Sequence, residues 1–156
     1  MAETGDGPLA EADALRVRRS FESQSFPAAL GIRMTLLDRG CCSLALERRA
    51  DLLQQVGYIH AGVVSTLADT AAGYAALTVM PADANVLTVE FKINLLAPAA
   101  GDALVAEARV LRGGRRLVVV AADVYAESAG ERRAVAAFQG TMICLREHSG
   151  GGAPAG

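Results

Sequence analysis

The pattern of hydrophobic and polar positions changes period along this chain. Residues 61–80 are apolar or small on every side, which is the signature of a helix enclosed all round rather than one with a solvent face. After Pro81 the period falls to two. Leu87, Val89, Phe91, Ile93 and Leu95 alternate with Thr88, Glu90, Lys92 and Asn94, which predicts an antiparallel strand with one buried face, closed by Pro98 and Gly101. Strands over 103–111, 116–126 and 132–145 follow, joined by the turns Arg112-Gly113-Gly114-Arg115 and Ser128-Ala129-Gly130. Ahead of the central helix, strands at 32–37 and 42–46 flank the turn Asp38-Arg39-Gly40, and a polar loop covers 47–56. Leu9, Ala12, Leu15, Val17 and Phe21, interleaved with Arg16, Arg18 and Arg19, predict an amphipathic N-terminal helix within 9–26 that Pro27 stops at the latest. The sum is an α+β fold: four consecutive strands able to form a meander, two more before them, and one curved antiparallel sheet wrapped around one long central helix. Such a sheet has edges, and edges are paired or covered, so a homodimer is expected.

Composition narrows this further. With 156 residues and 52% hydrophobic content, the chain has room for one real core, and disorder is excluded as a description of the whole. The domain is expected at 9–147, between a disordered lead (1–8) and a disordered tail (148–156) rich in Gly, Ala and Pro. A net charge of −2 argues against a nucleic-acid partner and for a small molecule. Lys92 is the only lysine; base bias in a genome explains this Arg and Ala excess. Cys41, Cys42 and Cys144 lack metal-ligand spacing, the opening residues are polar with Glu3 and Asp6, and a reduced, cytoplasmic protein is expected. His60 and His148 are the only histidines, too few for a His-based metal site or a Ser-His-Asp triad.

Asp69 is the only formal charge in residues 61–80. A carboxylate out of water is costly unless paired, so its presence there needs a reason. Three readings compete: a membrane span, which Asp69 and the lack of flanking basic residues weaken; a core helix whose Asp bonds a neighbour; and a catalytic carboxylate in a cleft.

His60-Ala61-Gly62, Leu67-Ala68-Asp69, Ala71-Ala72-Gly73, the strand Leu87-Thr88-Val89-Glu90-Phe91 and the turn Pro98-Ala99-Ala100-Gly101-Asp102 occur in that order. Together they resemble the hotdog-fold acyl-CoA thioesterases of the 4-hydroxybenzoyl-CoA thioesterase superfamily, in particular the phenylacetyl-CoA (PaaI-like) branch. The resemblance implies hydrolysis of a small aryl- or medium-chain acyl-CoA to free acid and coenzyme A, with no metal and no cofactor beyond the coenzyme A of the substrate. It places the catalytic carboxylate on Asp69, the N–H that polarises the thioester carbonyl on Ala61, a substrate- or water-holding amide on Gln54, and an assisting hydroxyl on Thr88. Asp69 would either draw a proton from water or attack the carbonyl itself, giving a mixed anhydride. Ala61 replaces the commoner glycine but keeps the N–H. Gly62 is assigned to substrate binding, and His60 to shaping the oxyanion loop, with catalysis as its second role.

Ala61 and Asp69 are eight positions apart, about 12 Å of helical rise, and cannot both serve one carbonyl within a chain. Two central helices lying antiparallel across a dimer would bring them together, making two sites related by a two-fold axis. The resemblance implies the same arrangement, with dimers pairing further into a tetramer. Arg112, Arg115 and Arg116 cluster at a turn and could hold the phosphates of coenzyme A, or be an ordinary solvated hairpin. Tyr74 and Met80 are possible pocket-lining residues. A hotdog hydratase or dehydratase, and a non-catalytic acyl-CoA sensor, remain alternatives.

Overall fold

A computed structural model describes residues 7–146. The chain runs α1 (Glu11–Glu22), α2 (Ser25–Leu30), β1 (Arg33–Asp38), β2 (Cys41–Glu47), a 3-10 turn (Ala50–Leu52), α3 (Ala61–Leu77), β3 (Ala84–Leu95), β4 (Ala103–Gly113), β5 (Leu117–Ser128) and β6 (Glu131–Arg146). The strands form one antiparallel sheet in the order β1-β2-β4-β5-β6-β3, and α3 packs on β2 through β6. This is the hotdog architecture.

Burial explains the packing. On β5, Val118, Val120, Ala122, Val124 and Ala126 are all buried, alternating with less buried neighbours. They share the core with Leu44 and Leu46 of β2, Leu104 and Ala106 of β4, and Phe138 and Met142 of β6. Against this layer α3 sets Val64, Leu67, Ala68, Ala71, Ala72 and Ala75, small enough to bring its axis close to the sheet. The C-terminal end of α3 is fastened by Thr78: its hydroxyl donates to Ala75 O (2.6 Å) and accepts from Gly40 N (2.7 Å) in the β1–β2 turn. Gly40 has φ +72°, a value glycine adopts without steric cost. At the other side α1 is held to α3 by an edge-to-face contact of Phe21 with Tyr74, ring centroids 5.4 Å apart.

Three expectations are corrected. The N-terminal helix expected within 9–26 is two helices, broken at Ser23–Gln24. Pro27 lies inside the first turn of α2, where its missing N–H would have had no intrahelical partner anyway. The meander has three strands, not four, because β3 crosses over to pair with β6 and becomes an edge.

The third correction concerns the faces of β3. Thr88 pairs with Met142 and Glu90 with Thr141, so Val89 is the extra residue of a bulge. Before it, Val86 and Thr88 share the helix-facing side with Met142; after it, Phe91, Ile93 and Leu95 share that side with Gly140, Phe138 and Ala136. The expected continuous buried stripe is therefore split. Being on an edge, it is also largely uncovered: Leu87 and Val89 are each 56% exposed, Phe91 43% and Leu95 55%. The tail expected to be disordered, and all of the lead but residues 7 and 8, lie outside the described residues. Among the described residues no helix is long and apolar enough to cross a membrane.

Candidate active site

Asp69 sits in the middle of α3, half-buried, and its neighbour across the cleft is β3. The Thr88 hydroxyl donates to Asp69 Oδ1 at 2.8 Å. It also lies 3.4 Å from Met142 Sδ, a weaker acceptor, so the hydroxyl hydrogen is directed at the carboxylate. The sequence alternation put Thr88 with the polar face of β3; the bulge lets it face the helix instead. Burial pushes the Asp69 carboxyl above the usual aspartate range, and the Thr88 hydrogen bond pulls it part of the way back. Its second oxygen accepts nothing among the described residues. Both side chains line a cavity of about 560 Å³ whose walls include Phe26 and Pro27 of α2, Gly73 and Tyr74 of α3, and Val86 and Leu87 of β3.

The N-terminus of α3 forms a second centre. His60 is the N-cap, and its Nδ1 accepts from Gly62 N at 2.9 Å. That bond fixes the tautomer of the neutral ring, with the proton on Nε2. A Cβ on Gly62 would stand 3.0 Å from Nδ1, so the glycine makes room for the ring. Val63 N and Val64 N both donate to His60 O. Of the first helical N–H groups, that of Ala61 is thus left without a partner among the described residues, at the positive end of the helix dipole. Gly62, expected to bind substrate, has its N–H occupied by the cap.

The loop before the helix is held by Ile59 N donating to Ala99 O and His60 N to Leu52 O. Gln54 spends its side-chain oxygen on Val56 N (2.8 Å), which leaves its NH2 group for a ligand. Gln54, His60 and Ala61 line a cavity of about 640 Å³ together with Tyr58, Leu95 and Leu96.

Within one chain, then, the residues expected at the site fall into two groups: Asp69 with Thr88, and Gln54 with His60, Ala61 and Gly62. Arg112, Arg115 and Arg116 belong to neither cavity and are exposed on the β4–β5 hairpin. The register nevertheless sets them at the Thr88 end of the sheet: Cys144 N donates to Arg116 O, and Cys144 pairs with Val86, two residues from Thr88. Met80 is core and lines neither cavity, whereas Tyr74 lines the first.

Sequence reasoning missed the wall supplied by the α1–α2 junction, and Gly73. The Phe26-Pro27 pair was the available signal for the wall. Gly73 is one helical turn beyond Asp69, and a Cβ built on it meets no atom within 4 Å. A glycine inside a helix is less favourable than alanine by roughly 0.5–1 kcal/mol, so this one gains the fold nothing.

Residues 56–132 match the thioesterase superfamily. A protein of Saccharolobus solfataricus, named provisionally as an esterase, is 34% identical over 118 residues, covering 76% of each chain. Among solved structures, a thioesterase family protein of Silicibacter pomeroyi is 44% identical with a TM-score of 0.84, over 86% of this chain and 98% of its own. The PaaI protein from the phenylacetic acid degradation operon of E. coli is 25% identical with a TM-score of 0.79, over 88% of this chain and 96% of its own.

Proposed function

This chain belongs to the thioesterase superfamily, and from that premise we propose that it is a PaaI-like acyl-CoA thioesterase whose site is completed across a homodimer. The observation that carries the reading is the separation of the two centres. Asp69 and the free N–H of Ala61 are on one helix, eight residues and about 12 Å apart, each in its own cavity. Neither cavity alone holds both a carboxylate and an oxyanion donor. Antiparallel pairing of two α3 helices about a two-fold axis would unite Asp69 of one subunit with Ala61 of the partner subunit, twice. The exposed apolar edge of β3 supplies a surface for that pairing.

In such a site the thioester carbonyl oxygen accepts from Ala61 N–H, with the Gln54 amide nearby to hold substrate or water. The free oxygen of Asp69 takes a proton from water as the water oxygen bonds to the carbonyl carbon, and the C=O electron pair moves onto the oxygen beside Ala61. Collapse of that oxyanion breaks the C–S bond, and the departing thiolate takes the proton back from Asp69. The products are a free acid and coenzyme A. Thr88 holds Asp69 in the orientation that aims its second oxygen at water. Arg112, Arg115 and Arg116 are the groups suited to the phosphates of coenzyme A. The choice of the PaaI-like branch is supported by the Asp69–Thr88 pairing and by the likeness to the E. coli protein. A dimer of dimers is part of the same proposal.

The test is thiol release from a panel of aryl- and alkyl-acyl-CoA substrates by wild type and Asp69→Asn, both folded and matched in oligomeric mass. The expected fall is about a hundredfold, the size for losing a positioned acid–base group. Equal rates would remove Asp69 from the chemistry, and binding without cleavage by either protein would replace the enzyme with a binding module.

A further inference from the structure

Gly62 has a neighbour that explains it, the imidazole of His60; Gly73 has none, and yet it lies in the interior of α3 between the buried Ala72 and Tyr74. The open space beside it belongs to the cavity that Asp69 lines. On a helix, positions four apart lie on one face, so Gly73 leaves a notch about 6 Å along the axis from the carboxylate. Across the same cavity stands Phe26, a large apolar ring left 61% exposed by α2. Both features are unfavourable for the isolated chain, and both face one volume.

We infer that Gly73 is the specificity-determining residue of the site: its notch receives the wide end of the acyl group, with Phe26 as the opposing wall. The inference rests on the thioesterase reading and deepens it. A straight alkyl chain is one methylene wide and has no need of the notch. Only a group that broadens within two or three atoms of the carbonyl does, which points to ring-bearing acyl groups, whose faces also suit contact with the Phe26 ring.

The experiment compares wild type, Gly73→Ala and Gly73→Val, each first checked for melting and oligomeric mass. Calorimetry with uncleavable thioether analogues of acyl-CoA, one carrying a phenyl ring and one a straight alkyl chain, reads the notch without depending on catalysis. Gly73→Val is expected to weaken the ring analogue by about tenfold or more while leaving the chain analogue within about threefold. Equal losses for the two analogues, or no loss for either, overturn the inference. So does a folded valine variant that changes oligomeric mass, since the space then belongs to a second copy. Should valine prevent folding, alanine decides: a smaller loss in the same order supports the notch, and unchanged discrimination overturns it. Cleavage of the matching thioesters is followed separately. Wild type that prefers the ring analogue, loses that preference in the variants and yet cleaves nothing would overturn the hydrolase reading while the notch stands.

Discussion

Asp69 couples stability to pH in a direction opposite to most surface carboxylates. Because burial raises its folded-state value above the unfolded one, the folded protein binds this proton more tightly. The favourable contribution is complete below the ordinary aspartate range and is lost as pH rises through the raised value. Above the raised value the ionised side chain is therefore a burden on the fold. Asp69→Asn should melt at a higher temperature than wild type at neutral pH, and the gap should close as pH falls into the ordinary aspartate range; thermal scans at both ends check this, and a gap that persists in acid would contradict it. Thr88→Val removes the hydrogen bond that lowers the carboxyl. The acid limb of the pH–rate profile should then move to higher pH, with a loss of about tenfold in kcat, near the value of one hydrogen bond to a charged group. An unmoved limb would mean that Thr88 does not touch the titrating group.

At the level of elements, α3 carries most of what a reader of the sequence could see. Its unbroken apolar run predicted the central helix, and its single charge singled out Asp69 as a candidate, since period and burial are local properties. The order of strands was less legible. Nothing in the composition of β3 says that it pairs with β6 rather than β4, because that choice is made by a crossover between distant segments. The bulge at Val89 was also hidden: Thr88, Val89 and Glu90 continue the alternation on paper, and only pairing with β6 reveals the extra residue. The cap was half visible. His60-Ala61-Gly62 marked the helix start, but that Gly62 serves His60 and Ala61 is left free depends on the placement of a side chain. Gly73 looked like one more small residue of a close-packed helix, and only the emptiness beside it distinguishes it.

The whole molecule is where the two centres must meet, and the helix start offers a clean way to ask whether they do. Proline is favoured at the first helical position, and His60, at φ −62° and ψ 139°, already has the backbone that a following proline requires. Ala61→Pro should therefore keep the helix while deleting the free N–H. Its activity should fall by ~10²–10³, the range for one oxyanion donor. The decisive measurement is to unfold and refold it together with Asp69→Asn in equal amounts. If each site takes Asp69 from one subunit and Ala61 from the other, statistical pairing makes half of the dimers mixed, each with one intact site of two, and about a quarter of wild-type activity returns. No recovery from two soluble, dimeric variants would place both groups within a single subunit and undo the shared site.

The bulge in β3 gives that strand two reading frames. Thr88 and Phe91 are three residues apart, an odd spacing that an unbroken strand would send to opposite sides, yet both face the helix side of the sheet. Length at this point is thus informational: a chain shortened by Val89 alone would keep every other apolar residue and every strand, and still present either the hydroxyl or the aromatic ring to the wrong half-space.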